Sequence, residues 1–199
     1  SDQEIAQRKD IVDAVDTSRF KLVERLQPNA QELQSYTRFR LTESGISPIS
    51  HPGLKGGSYL AAGIEHNEAG APSSSGEMHA KMNDKRLRKL SPLLQRRDLF
   101  VLEGNPEAAI GVIGWGSIAG VVLEAVRTAQ AQGIEVKLLI PKLIYPIAEG
   151  IYQDFFRSLR HGLVVEQSHQ GQLHRIIRMW TDVPKSFTSM AKSGANPIT

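Results

Sequence analysis

Between residues 108 and 180 three short apolar runs alternate with three amphipathic ones, and this alternation constrains the fold more than any other feature of the chain. The first unit reads AAIGVIGWGSIAGVVLEAVRTAQAQG: a strand, a Gly/Ser-rich turn and a helix closing on Gly133. Residues 109–113 carry no polar side chain, as a central strand covered on both faces requires. After it, Ile118, Val121, Val122, Ala125, Val126 and Ala129 recur at the i, i+3, i+4, i+7 spacing of a helical stripe. Ser117 is placed to cap that helix and Gly133 to end it. A second strand is predicted over 134–140, ended by Pro141. A second helix then starts at Pro146, carries Ile147, Ile151, Phe155 and Leu159 on one stripe, and stops at Gly162. A third strand at 163–166 leads through the polar turn SHQGQ into a helix with Leu173, Ile176, Ile177 and Trp180 on one face.

Such a β-α-β-α-β-α order defines an α/β protein: a small, mostly parallel sheet with helices on both faces. It also sets the turn Trp115-Gly116-Ser117 at the carboxyl end of a strand, where open α/β sheets receive ligands or partners.

The remainder is less regular. Residues 1–57 show no sustained helical period, carry turn signals at Pro28-Asn29, Ser44-Gly45 and across SPISHPGLKGG, and contain β-capable pieces at 20–26 and 35–41. Residues 59–64 suit a short strand, and EHNEAGAPSSSG is a loop by its Gly, Pro and Ser content. A helix is expected from Gly76 or Glu77, capped by Ser75, and a short strand at 99–102. The division is therefore an extended connecting segment over 1–75, which packs on neighbouring domains; an α/β domain over 76–185 with its core at 106–180; and an extended tail over 186–199. A start at Ser1 rather than Met points to a fragment or a trimmed chain.

Composition narrows the function classes. With 40% hydrophobic and 23% charged residues the chain suits a water-soluble globular protein, and its apolar runs fall far short of the roughly 18 residues of a membrane helix. The N-terminus is too polar for a signal peptide. No cysteine is present, so this chain offers no disulfide, no thiolate nucleophile and no thiolate ligand for zinc or an iron–sulfur cluster, which suits the cytoplasm. The net charge of +3 comes without an aromatic stacking pattern or a nucleic-acid recognition motif.

Candidate chemistry is sparse. Gly116 and Ser117 could present backbone N–H groups to an anion at a helix N-terminus, but the turn fits G-x-G-x-x-G poorly, and no acidic residue follows the next strand to hold a ribose. Tight strand-to-helix packing is the plainer reading of these glycines. Glu166, at the end of the third strand and near His169 and Gln172, has the residue types for acid–base work or for capping the next helix. The six histidines make no H-x-x-x-H pair. Glu65-His66-Asn67-Glu68 is the densest polar cluster, which makes Glu65, His66 and Glu68 candidates for a specific substrate or interface contact. The basic run from Lys81 to Arg97 reads as a solvated face, or as an attractor of phosphate groups or an acidic partner. No catalytic set and no metal-ligand set is legible, and a stand-alone module binding coenzyme A or another phosphorylated ligand stays open beside the reading that follows.

GISPISHPG at 45–53, GIEHNEAGAP at 63–72, MNDKRLRKL at 82–90, GWGSIAGVVLEAV at 114–126 and VVEQSHQGQLHRIIR at 164–178, with SDQ at the start, resemble the alpha subunit of 2-oxoacid:ferredoxin oxidoreductases, closest to the 2-oxoglutarate type. The match runs in order along nearly the whole chain and resembles the C-terminal part of that subunit. The resemblance implies a transketolase-C-terminal-like domain in a hetero-oligomer with the beta subunit and the alpha subunit's own N-terminal domains. It further implies thiamine-diphosphate chemistry with Mg²⁺, iron–sulfur clusters, coenzyme A and ferredoxin, all held outside this chain, whose own part is architectural. The isolated chain is then expected to be inactive. Departures from the family's usual pattern fall at Ile49 (usually Arg), Asn67 (Asp), Ala71 (His) and Ser168 (Asn). Where those positions touch substrate in relatives, they bear on the choice of 2-oxoacid and not on the fold.

Overall fold

The apolar runs pair into one five-stranded sheet of order β1-β3-β2-β4-β5, built from β1 (Phe100–Glu103), β2 (Ile110–Gly114), β3 (Val136–Pro141), β4 (His161–Glu166) and β5 (Phe187–Ala191). The computed structural model describes residues 9–194, 196 and 198, so the SDQ opening lies outside the described residues. The chain divides into two compact units, Val12–Pro92 and Leu93–Thr199 with Ser1–Ile11.

In the second unit β2 pairs in parallel with β3 (Val112↔Leu138) and with β4 (Val112↔Leu163), β4 pairs in parallel with β5, and β1 runs antiparallel to β3. The mostly parallel α/β sheet is therefore as the alternation predicts. Successive strand residues point to opposite faces, so β3 feeds two cores. Leu139 joins Ile113, Val164, Tyr152, Phe155, Leu173 and Ile177, under the helices α3 (Glu149–Phe156) and α4 (Gln172–Trp180). Val136, Leu138 and Ile140 join Val122 and Val126 under the helix α2 (Ile118–Ala131).

The glycines of the first strand–turn–helix unit serve this packing. A Cβ on Gly114 would overlap Val122 of α2, and one on Gly111 would press into Leu159 and Phe155. Gly133 ends α2 with φ at 82°, as its position predicts. Ser117 stands at the N-cap position but has helical backbone angles and makes no capping bond through its side chain.

Two expectations about the ends of a helix fail in this unit. The helix predicted to begin at Pro146 begins at Glu149, because residues 142–148 form an irregular run that first seats Ile147 and Ala148 in the core. Gly162 does not stop that helix: it lies in β4, where the Phe187 ring occupies the space a side chain would need. The predicted tail supplies β5, an edge strand with a single buried residue, Phe187, so its sequence carries almost no hydrophobic pattern. Trp180 is also half-exposed at the end of α4, where only Leu173 and Ile177 are fully covered.

On the α2 side the sheet is incompletely covered. Ile110, Val112, Leu163, Val165 and Met190 floor an apolar groove of about 370 Å³ in which Ile198 also sits, and Ile110 and Met190 are 39% and 48% exposed.

The unit Val12–Pro92 is different in kind. Its one α-helix, α1 (Gly76–Arg88), starts as predicted, with the Ser75 hydroxyl accepting from the Met78 N–H at 3.3 Å. The β-capable pieces at 20–26, 35–41 and 59–64 form no strands; among the described residues a single bridge, His66↔Pro72, is all the β-pairing this unit has. Strand propensity is realised only where a partner strand and a covered face exist. Here Met82 is the one hydrophobic side chain that is fully buried among the described residues of the unit, and an aromatic group of Tyr36, Phe39, Tyr59 and His66 takes the place of a core.

Candidate functional site

The polar cluster singled out at Glu65, His66 and Glu68 is a built structure. Asn67 closes the loop: its side-chain oxygen accepts from the N–H groups of Ala69 (3.0 Å) and Ala71 (3.1 Å), and its own N–H donates to the Ala71 carbonyl at 2.9 Å. This is the local Asx bonding that Asn and Asp share, so an Asp at position 67 would close the same turn. Gly70 sits in the left-handed region at φ 88°, against the Leu60 carbonyl, where only glycine fits.

The Glu65 carboxylate faces α1. It accepts from the two terminal guanidinium nitrogens of Arg86, Nη2 at 2.8 Å and Nη1 at 3.1 Å, and pairs with His79 Nδ1 at 2.7 Å. The bidentate Arg86 pair, seconded by the His66 N–H, holds the Glu65 carboxyl down to about 2. Glu68 works in the other direction: it accepts from the Leu41 N–H at 2.7 Å, and its carbonyl accepts from the Phe39 N–H at 2.9 Å. His66 is buried, donates from Nδ1 to the Asn67 carbonyl at 2.9 Å, and stacks at 4.0 Å between centroids on Phe39. Loop 65–72 thus ties residues 37–41 to α1. Sequence reasoning did not pick out His79 and Phe39 and read Arg86 only as part of the basic run, because these partners lie in other segments and nothing in local spacing marks them.

The basic run is only partly a solvated face. Lys81 pairs with Glu77 one turn away, but Arg88 donates to the Thr42 carbonyl and Lys85 is buried, its ammonium donating to the Phe39 carbonyl at 2.8 Å.

At the carboxyl edge of the sheet, Glu166 is fully buried, and its two oxygens accept from the N–H groups of Leu173 (3.0 Å) and His174 (3.2 Å). Both acceptors are thereby spent on the first turn of α4, where a carboxylate also suits the helix dipole. Of the two readings weighed for Glu166, capping is the one the geometry shows. Gln172 is exposed on the same turn, and His169 instead pairs with Ser193 at 3.0 Å. Gly116 has φ 60° and open space around it, but neither Gly116 nor Ser117 lines any of the cavities described here. Among the described residues no group of three or more His, Asp or Glu is placed to hold a metal ion, and no helix is long and apolar enough to cross a membrane.

The chain matches no protein-family model. It is similar to the "2-oxoacid:ferredoxin oxidoreductase 2, subunit alpha" of Aeropyrum pernix, 28% identical over 166 residues, which are 82% of this chain and 25% of that protein. The 2-oxoacid:ferredoxin oxidoreductase subunit alpha of Saccharolobus solfataricus is 27% identical over 158 residues, 78% of this chain and 24% of the relative. Among solved structures, the 2-oxoglutarate:ferredoxin oxidoreductase of Magnetococcus marinus, bound to 2-oxoglutarate, coenzyme A and succinyl-CoA, superposes with a TM-score of 0.83 at 34% identity, over 94% of this chain and 32% of that one. These relatives are oxidoreductase subunits or enzymes. More narrowly, the curated ones are alpha subunits of 2-oxoacid:ferredoxin oxidoreductases, and the resemblance read from the motifs stands on them. The chain spans about a quarter to a third of the length of the proteins it matches.

Proposed function

We propose that this chain is the C-terminal portion of the alpha subunit of a thiamine-diphosphate-dependent 2-oxoacid:ferredoxin oxidoreductase, and that it works as an architectural and interface part of that enzyme. The complex would decarboxylate a 2-oxoacid, 2-oxoglutarate by the nature of the Magnetococcus relative, transfer the acyl group to coenzyme A and send electrons to ferredoxin in the cytoplasm. The observation that carries the reading is the similarity over 94% of the chain at a TM-score of 0.83. The chain has no cysteine to ligate an iron–sulfur cluster, and among its described residues no group of three or more His, Asp or Glu is gathered at one place. Those sites belong to the N-terminal domains and the beta subunit. In this reading Glu65, His66 and Glu68 shape a surface loop for a neighbouring domain, and Glu166 fixes the turn on which Gln172 is displayed.

Physical support for an interface role comes from what the chain leaves uncovered. Ile11, Val12 and Val23 are 97%, 77% and 87% exposed, the unit Val12–Pro92 lacks an apolar core, and the sheet groove is open. A segment that buries so little apolar surface does not offset its own ordering entropy, so it needs a surface to lie on. Light scattering after size exclusion tests this: the chain mixed with the remainder of its alpha subunit and the beta subunit should elute as one heteromeric species. Replacing Ile11, Val12 and Val23 with Asp should break that species apart while the helical signal of the chain is unchanged. Separate elution of the unaltered components contradicts the proposal.

A further inference from the structure

Beside the Glu65–Arg86 pair lies a cavity of about 250 Å³ whose charge is one-sided. Arg38, Lys85, Arg86 and Lys89 all line it, and no carboxylate does. Arg86 is neutralised by Glu65. For Arg38, Lys85 and Lys89 no ion pair is found among the described residues: Arg38 lies over the Phe39 and Tyr59 rings at 5.1 and 6.0 Å, and Lys85 has the Phe39 carbonyl. Lys85 is only 7% exposed. A buried ammonium whose hydrogen bond goes to a neutral carbonyl, with cationic groups as its charged neighbours on the cavity wall, is poorly compensated. Glu68 is the one carboxylate whose field favours the charged form, and burial together with Arg38 and Lys89 still pushes Lys85 down to about 8.

We infer that this cavity is an anion site that takes a phosphate or carboxylate group, held by Arg38, Lys85 and Lys89, with the Ser47 and His66 side chains also on its wall. The chemistry follows from the lining: two lysines and an arginine share one wall, and oxyanions are what such donors bind with charge-assisted hydrogen bonds. The size limits the occupant. A volume below the roughly 300–1,000 Å³ of pockets that enclose a drug-sized ligand suits one anionic group or a small dicarboxylate, not a whole cofactor. The inference concerns the unit Val12–Pro92 alone and does not depend on the enzyme to which the chain contributes.

Hydrogen exchange read by mass spectrometry tests it on the 199-residue chain, in millimolar inorganic phosphate, in succinate, and in chloride at matched ionic strength. Peptides covering 36–47 and 78–90 should exchange several-fold more slowly in phosphate or in succinate than in chloride, and whichever anion does so identifies the chemistry. Peptides from α2 serve as the control for a general salt effect and should not change. Lys89 is exposed and Arg38 half-buried, so Lys89→Ala and Arg38→Ala should leave α1 folded and weaken the anion's apparent affinity roughly tenfold each. Equal exchange in all three salts overturns the inference, and so does protection that survives both substitutions.

Discussion

Single residues in this chain show how far chemistry can be read from residue type alone. Glu65 and Glu166 are both carboxylates near a histidine; from the sequence Glu65 is a candidate for a specific substrate or interface contact, and Glu166 for acid–base work or for capping the next helix. Their surroundings give them different work. Glu166 has both oxygens on backbone N–H groups of α4, while Glu65 is clasped by Arg86 and His79. The Glu166 partners lie in the next helix, where capping could be read, but those of Glu65 are not visible from spacing, because Arg86 lies 21 residues and His79 14 residues away. The depressed pKa of Glu65 has a pH signature. A carboxyl whose folded value lies below its unfolded value stabilises the folded state above the unfolded pKa, and that contribution is lost as pH falls through the folded one. The Arg86 pairing should therefore persist at neutral pH and fade between about 4.5 and about 2. Hydrogen exchange in loop 65–72, compared between the unaltered chain and Glu65→Gln, should differ clearly at pH 7 and converge toward pH 2. A difference that does not vary with pH would contradict this account of the carboxylate.

Elements were legible in proportion to the apolar surface they bury. The strand–turn–helix unit from β2 to α2 and the fully buried β3 stand within a few residues of their predicted places because of their hydrophobic period, and α1 does so because Ser75 caps its start. What stayed hidden is what a one-dimensional pattern does not encode. β5 has one buried residue, and the irregular run before α3 owes its shape to the seating of Ile147 and Ala148. Gly162 shows the cost of reading glycine only as punctuation: its meaning here is the Phe187 ring packed against its α-carbon, between two paired strands. Gly162→Ala should therefore cost about 1–3 kcal/mol of stability through overpacking of the β4–β5 pair, read as a lowered denaturation midpoint of the sheet unit. A midpoint equal to that of the unaltered chain would show that β5 is not held by this contact.

At the scale of the whole molecule, the two units differ in what sustains them. The sheet unit has cores on both faces, whereas the unit Val12–Pro92 is tied by hydrogen bonds, an ion-pair clasp and a small aromatic group, with one fully buried hydrophobic side chain among its described residues. That asymmetry, rather than any catalytic constellation, is what the sequence foreshadowed in its aperiodic first segment, and it fits a chain that functions against neighbours. The measurement that tests this most directly is viologen-dye reduction by a mixture of this chain, the remainder of the alpha subunit and the beta subunit, supplied with 2-oxoglutarate, thiamine diphosphate and coenzyme A. Activity that falls to background when this chain is withheld, and returns when it is added back, is the predicted result. Equal activity with and without the chain would contradict the claim that it is an essential part of the oxidoreductase.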